Sequence, residues 1–86
     1  MKHATPRALD RLEPMLKRLR GMPALRERSR GVFYRGSRAF LHFHECGEIE
    51  LYADVRLSGG DFERFPVANA AERKVLLGRI EMALRR

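Results

Sequence analysis

The sequence predicts an α+β fold in the order α-β-β-β-β-α: a four-stranded antiparallel sheet with both helices packed on one face. Two observations favour this fold. Apolar residues recur at helical spacing near both ends of the chain, whereas from Ala24 to Val67 they alternate at the period of a strand. Glycines at positions 36, 47 and 59–60 divide the alternating stretch into short segments, as turns do between strands. A chain of 86 residues fits a single domain over residues 1–86.

The first predicted helix begins after Thr5, whose hydroxyl suits an N-cap, and Pro6 suits the first helical position. Its apolar stripe consists of Leu9, Leu12, Leu16 and Leu19. Pro14 lies inside this stripe, so a kink or a restart is expected there. Gly21 ends the pattern, and Pro23 follows it.

The alternating stretch predicts four strands, at about Glu27–Tyr34, Ser37–His44, Glu48–Leu57 and Phe62–Val67. Pro66 cannot donate a backbone hydrogen bond, so the last strand is expected at an edge of the sheet. The second helix begins at Asn69, with Glu72 three residues later in a capping-box-like pattern. Its apolar face is expected to contain Leu76, Leu77, Ile80, Ala83 and Leu84.

The two central strands separate into two faces by alternation. One face is apolar and is expected to contact the helices: Ala39, Leu41, Phe43, Ile49, Leu51, Ala53, Val55 and Leu57. The other face is open: Arg38, Phe40, His42, His44, Glu48, Glu50, Tyr52, Asp54 and Arg56. A three-residue loop at 45–47 would place Gly47 last, where a left-handed residue is needed. The predicted open-face pairs are then His44:Glu48, His42:Glu50, Phe40:Tyr52 and Arg38:Asp54, all charge-complementary or aromatic.

This open face is the predicted binding surface. An aromatic pair ringed by paired charges is typical of an interaction surface, and a small core benefits from oligomerisation. The first functional hypothesis is therefore a non-catalytic interaction module that binds a protein partner or a second copy of itself. The predicted binding residues are Arg38, Phe40, His42, His44, Glu50, Tyr52, Asp54 and Arg56. No residue is assigned a catalytic role, no cofactor is assigned, and enzymatic activity is not favoured.

Nucleic-acid binding is the alternative hypothesis. The net charge is +7, from 18 Lys and Arg residues against 11 Asp and Glu residues, and basic chains are attracted to phosphate polymers. Aromatic and arginine side chains on a flat sheet are the groups that bind single strands. Glu48, Glu50 and Asp54 count against this hypothesis because carboxylates repel phosphate.

A metal site is the third hypothesis. His42 and His44 alternate on one strand, so their side chains point the same way, and His-x-His is a spacing that metal ligands use. Cys46 follows in the predicted turn, and a third ligand at a fixed place is not evident in the sequence. Pairing with glutamates across the hairpin explains the two histidines better than a metal does, so His42 and His44 are only weak candidate ligands and no metal ligand is assigned.

The cellular location is predicted from three features. Cys46 is the only cysteine, which favours a reducing compartment. The N-terminal residues lack the apolar stretch of a signal peptide, and no run of about 18 apolar residues occurs. A cytoplasmic protein that does not enter the membrane is expected.

The stretch "MPALRERSRGVFYRGSRAFLHFHECGEIELYADVRL" resembles two groups of small bacterial domains. Residues 22–43 resemble the frataxin-like group of YjbR-type proteins, which implies an α-β-α-type sandwich and, for some members, DNA binding. The chain lacks the acidic first helix with which frataxins handle iron and has basic residues there instead. The hairpin is also similar to the small "luciferase domain" of bacterial and fungal proteins, in the residues Gly31, Val32, Tyr34, Arg38, His42 and His44. Neither resemblance implies a particular chemistry.

Overall fold

The computed structural model of the chain describes residues 2–47 and 49–85. Over these residues the elements are β1 (Lys2–His3), α1 (Pro6–Arg11), α2 (Glu13–Arg20), β2 (Leu25–Ser29), β3 (Val32–Arg35), β4 (Arg38–Cys46), β5 (Glu50–Val55), β6 (Glu63–Pro66) and α3 (Ala70–Leu84). The strands form one antiparallel sheet in the order β2-β3-β4-β5-β6, and β1 pairs with β4. The α+β class and the antiparallel sheet are confirmed. The described residues form six strands and three helices, so the predicted four strands and two helices are corrected.

The predicted first helix is two short helices that meet at Leu12. The Thr5 hydroxyl caps α1 by accepting a hydrogen bond from the Ala8 backbone N–H at 3.3 Å. Pro14 lies in the first turn of α2, where its missing N–H costs no helical hydrogen bond. The restart expected at Pro14 is thus confirmed.

The predicted first strand is a hairpin, β2–β3, that turns at Arg30 and Gly31. Gly31 has a φ of +80°, and a Cβ there would lie 2.7 Å from Leu9 Cδ2. The backbone conformation therefore favours glycine, and a side chain there would also have to displace the end of Leu9. The Glu27 carboxylate accepts a hydrogen bond from the Gly31 N–H at 2.9 Å, which stabilises the turn.

The β4–β5 hairpin keeps a three-residue loop, but the loop lies two residues further along than predicted. Cys46 pairs with Glu50 across residues 47–49, so Gly47, with a φ of +68°, begins the loop. His42 pairs with Asp54 and His44 with Tyr52, and the predicted partners Glu50 and Glu48 are wrong for these histidines. Glu48 itself lies outside the described residues. A shift by an even number of residues leaves each side chain on its face, so alternation could not distinguish the two registers.

Two predicted face assignments in this hairpin are wrong. Ile49 lies in the loop and is 77% exposed, because β4 continues to Cys46 before the chain turns. Phe40 is 2% exposed and belongs to the hydrophobic core. A register shift in the β3–β4 pairing leaves Phe40 without a partner in β3, and such a bulge removes a residue from the alternation.

The core lies between the helices and one face of the sheet. It includes leucines of α1 and α2, the fully buried Phe33, Leu41, Ala53 and Val55, and the inner face of α3. α3 begins as predicted, with the Asn69 side chain accepting from the Glu72 N–H at 2.9 Å. β6 is an edge strand, which confirms the prediction from Pro66. In the described ranges, no helix is long and apolar enough to cross a membrane.

Candidate metal centre

All three histidines of the chain meet on the sheet face opposite the helices. His42 and His44 alternate on β4, and His3 of β1 pairs directly with His44. One ligand nitrogen from each ring lies within 4.8 Å of the other two. The ring centroids are 4.8 Å apart for His42 and His44, 5.2 Å for His3 and His44, and 5.9 Å for His3 and His42. We call His3, His42 and His44 the histidine cluster.

β1 positions His3 through backbone bonds on both sides of it. Lys2 pairs with Glu45, and the Ala4 N–H donates to the Phe43 carbonyl at 3.1 Å. The Thr5 N–H donates to Glu45 Oε1 at 2.6 Å, so the same carboxylate holds the start of α1. These bonds fix the short strand against the last residues of β4, where the other two histidines lie.

Two nitrogens of the histidine cluster are buried without a hydrogen-bond partner among the described residues: His42 Nδ1 and His44 Nε2. His44 Nε2 lies 3.0 Å from Asp54 Oδ2, which is an ion-pair distance, but the contact does not meet hydrogen-bond geometry. Burial, and then the neighbouring His44, lower the pKa of His42 below its usual value. The neutral imidazole that this favours is the form that binds metal ions.

Asp54 is the carboxylate next to the histidine cluster. It is 8% exposed, and Arg64 of β6 holds both of its oxygens, Oδ1 through Nε at 2.8 Å and Oδ2 through Nη2 at 2.9 Å. The bonds from Arg64 lower the pKa of Asp54, which keeps it ionised. An arginine therefore orients an aspartate, and the aspartate lies beside a histidine. Metal-binding histidines commonly have such an outer carboxylate.

Phe62 and Arg56 form the neighbouring wall of the site. The Phe62 ring meets the His42 ring edge to face, with centroids 4.9 Å apart. The Arg56 guanidinium lies 4.1 Å from the centroid of the Phe62 ring. It also donates to the carbonyls of Ala39 and Gly60, at 3.0 and 2.7 Å, so its position is fixed.

The predicted binding residues thus divide into separate groups. His42, His44 and Asp54 come together. Glu50 accepts a hydrogen bond from the Tyr52 hydroxyl at 2.5 Å, on the same strand. Arg38 donates to the Gly59 carbonyl at 3.0 Å rather than pairing with Asp54. Phe40 lies in the core, so the predicted Phe40:Tyr52 pair does not form.

Sequence reasoning missed His3, Phe62 and Arg64. A strand of two residues is too short to predict from periodicity, so nothing placed His3 beside the central hairpin. Arg64 was hidden because the partner of Asp54 depends on the register of β5 with β6, in which Asp54 pairs with Arg64. One signal was available in the number of histidines: the chain has three, and alternation predicts that two of them share a face.

Comparisons of the chain with protein-family models, curated proteins and solved structures found no match. The resemblance to YjbR-type and luciferase-domain proteins therefore stays a prediction, and the functional conclusion depends on the geometry of the site.

Proposed function

We propose that this domain binds a divalent transition-metal ion, Zn²⁺ in the first place, through His3, His42 and His44. The observation that carries the proposal is the approach of three imidazole nitrogens to within 4.8 Å of one another. In a tetrahedral zinc site the ligand nitrogens lie about 3.4 Å apart, because each Zn–N bond is about 2.0–2.1 Å long. Adjustments of up to about 1.4 Å would bring the nitrogens to this spacing, and His3 is the exposed ring of the three.

The polar atoms around the cluster support a ligand site over a purely structural one. Buried polar atoms nearly always have a hydrogen-bond partner, and each exception needs an explanation. His42 Nδ1 and His44 Nε2 are two such exceptions within one cluster. Coordination at His42 would use the unpartnered Nδ1. His44 Nε2 faces Asp54 Oδ2 at 3.0 Å, so His44 would offer its other ring nitrogen to the metal while Asp54 orients the ring.

The ligand set also indicates which ion and which chemistry. Imidazoles suit zinc, copper and nickel, whereas calcium and magnesium prefer oxygen ligands. Three protein ligands leave a fourth tetrahedral position for water or another ligand, as in catalytic zinc sites. Copper(II) is expected to bind more tightly than zinc in the test tube, because nitrogen ligands follow the Irving–Williams order.

The test is calorimetric titration of the untagged, chelator-stripped protein with Zn²⁺. A polyhistidine tag must be absent because it would add competing imidazoles. One equivalent is expected to bind, Mg²⁺ is expected not to bind, and His3→Ala, His42→Ala and His44→Ala are each expected to lower the zinc affinity strongly. Cys46→Ser is the control: its thiol is exposed and outside the cluster, so zinc affinity is expected to remain within about twofold.

The result that overturns the proposal is weak binding that single histidine substitutions do not change. A loss of zinc binding in Cys46→Ser as large as that in the histidine variants would also overturn it, since the site would then include the thiol. Circular dichroism of each variant confirms that it is folded before its affinity is compared.

The interaction module and the nucleic-acid platform remain predictions, but the observed open face differs from the predicted one. Phe40 is buried, and Arg38 and Arg56 donate to backbone carbonyls of the loop before β6. A titration with a single-stranded oligonucleotide at two salt concentrations tests the nucleic-acid alternative, because phosphate contacts weaken steeply with salt.

A further inference from the structure

α3 is apolar on two opposite faces, and only one of them packs against the core. Leu76, Leu77, Ile80 and Ala83 are buried. On the outer face, Val75 is 67% exposed and Met82 is 58% exposed. The apolar side chains of Val75 and Met82 thus lie on one face of the helix and are not covered by the described chain.

The outer face has the spacing of a helix–helix seam. Its residues are separated by four, three and four positions, which is the alternation of a coiled coil. We call this set the outer stripe: Ala71, Val75, Gly78 and Met82. All four are exposed, so the fold itself leaves the seam without a partner.

Gly78 is an independent sign of close approach. A glycine in a helix interior destabilises the helix relative to alanine. Outside its own helix, no atom of the described chain lies within 4 Å of where a Cβ would be, so packing within the chain does not require glycine here. A missing side chain at the centre of the outer stripe does allow another helix to approach closely.

The charges beside the outer stripe indicate which helix that is. Glu72 and Arg79 flank one side of the stripe, and Lys74 and Glu81 flank the other. Suppose that two copies of α3 pack antiparallel about Val75 and Gly78. The side of one helix that carries Lys74 and Glu81 then faces the same side of the partner helix, and the side that carries Glu72 and Arg79 does likewise. Lys74 of each copy then lies near Glu81 of the other, and Glu72 lies near Arg79, which gives four complementary pairs.

A parallel arrangement lacks this complementarity. It would bring Lys74 of one copy towards Arg79 of the other, and like charges across such a seam disfavour the pairing. Arg79 contacts Phe65 through its guanidinium, and Glu81 lies 3.9 Å from Arg18, so both flanking groups remain at the surface beside the stripe. The charge pattern thus favours one orientation, with two-fold symmetry.

We infer that the outer stripe of α3 is the interface of a homodimer in which the two copies of α3 pack antiparallel. The interface is isologous, since the same surface is used by both copies. It is separate from the histidine cluster, which lies on the opposite face of the sheet, and it does not depend on metal. A homodimer, which the sequence predicts through the open sheet face, would then use α3.

Sedimentation equilibrium over a concentration series, with a chelator present, tests this inference. The unmodified chain is expected to dimerise reversibly. Val75→Glu is expected to raise the dissociation constant at least tenfold, and its exposed position means that the domain still folds. Lys74→Glu is expected to weaken the dimer several-fold, and the exchange K74E/E81K is expected to restore it because the facing charges are complementary again.

Three results would overturn the inference. The first is a chain that stays monomeric at every concentration. The second is a dimer that Val75→Glu leaves intact while Tyr52→Glu disrupts it, since the interface would then be the open sheet face. The third is a dimer in which K74E/E81K is as weak as Lys74→Glu, since the antiparallel charge pairing would then be absent. Zinc affinity is measured separately on the same variants, so a failure here leaves the metal proposal untouched.

Discussion

Two polar clusters join the N-terminal segment to the sheet, and they differ in whether their groups are satisfied. The arginine–glutamate cluster consists of Glu13, Arg20, Glu27 and Arg30. Arg20 bonds Glu27 at 2.6 and 3.1 Å and Glu13 at 2.6 Å, and Arg30 bonds Glu13 at 2.9 Å. The histidine cluster, by contrast, leaves two buried nitrogens without a hydrogen-bond partner in the described part of the chain, although His44 Nε2 lies 3.0 Å from Asp54 Oδ2.

This difference is why we propose a ligand site at the histidine cluster and a structural role for the arginine–glutamate cluster. In the arginine–glutamate cluster each charge has an opposite charge in the chain, so a ligand would have to break existing bonds. In the histidine cluster the convergent atoms are all of one kind, with lone pairs that a cation can accept. The convergence of like nitrogen atoms without hydrogen bonds to one another is therefore the feature on which the proposed metal site rests.

The largest expected effect is the stabilisation by metal. Zn²⁺ at about 100 times its dissociation constant should raise the free energy of unfolding by about 2.7 kcal/mol, because it binds the folded state alone. His44→Ala should abolish this increase, whereas Glu27→Ala should retain it. Urea unfolding with and without zinc measures both variants, and an equal zinc response in His44→Ala would contradict the proposed site.

The next effect concerns the carboxylate behind the cluster. Asp54→Asn should lower the zinc affinity about 10- to 100-fold, which is the usual cost of losing an outer-sphere partner. Competition with a chromogenic chelator measures this affinity. Glu50→Gln is the matched control, because Glu50 is an exposed carboxylate of the same strand that bonds Tyr52 instead. Equal affinities of the two variants would assign Asp54 a structural role only.

Glu27→Ala should have the reverse effect of Asp54→Asn, because it should lower the free energy of unfolding and not the zinc affinity. It removes the partner of Arg20 and the acceptor of the Gly31 N–H, and the Glu27 side chain is 19% exposed. The expected loss is about 1–2 kcal/mol of unfolding free energy, since these are charge-assisted bonds near the surface. Zinc affinity should not change. A shift in zinc affinity comparable to that of Asp54→Asn would show that the two clusters are coupled.

The smallest expected effect is on acid stability. Bonds from Arg20 lower the pKa of Glu27, and bonds from Arg30 and Arg20 lower that of Glu13. Between pH 4.5 and the lower folded-state pKa values, the unfolded chain therefore binds more protons than the folded chain. The stabilisation that these glutamates give above pH 4.5 is lost as the pH falls through the folded-state pKa values. Glu27→Gln should flatten the pH dependence of the urea midpoint below that pH. An unchanged slope would mean that Glu27 does not contribute.

Much of the fold could be predicted because caps, turns and periodicity are local signals. Thr5, Asn69 and Pro66 each act where the sequence indicated. The register of the β4–β5 hairpin could not be predicted, because the two candidate registers differ by an even shift and expose the same face. In the observed register Ile49 is exposed, and Asp54 lies between Arg64 and His44.

The candidate site was half visible in the sequence. The spacing of His42 and His44 predicts that their side chains share a face. His3 joins them only through β1, and a strand of two residues has no periodicity of its own. The third ligand therefore depends on a tertiary contact, which is why the sequence alone favoured cross-strand pairing over metal binding.

The most direct test of the central claim is an NMR titration of the imidazole rings in ¹⁵N-labelled, untagged protein with Zn²⁺. The chain has three histidines, so every ring signal belongs to the cluster. If one ion binds all three, one nitrogen of each ring will shift, and all three will saturate together at one equivalent. If the His3 ring stays unchanged, or the rings saturate at different zinc concentrations, the three histidines do not form one site.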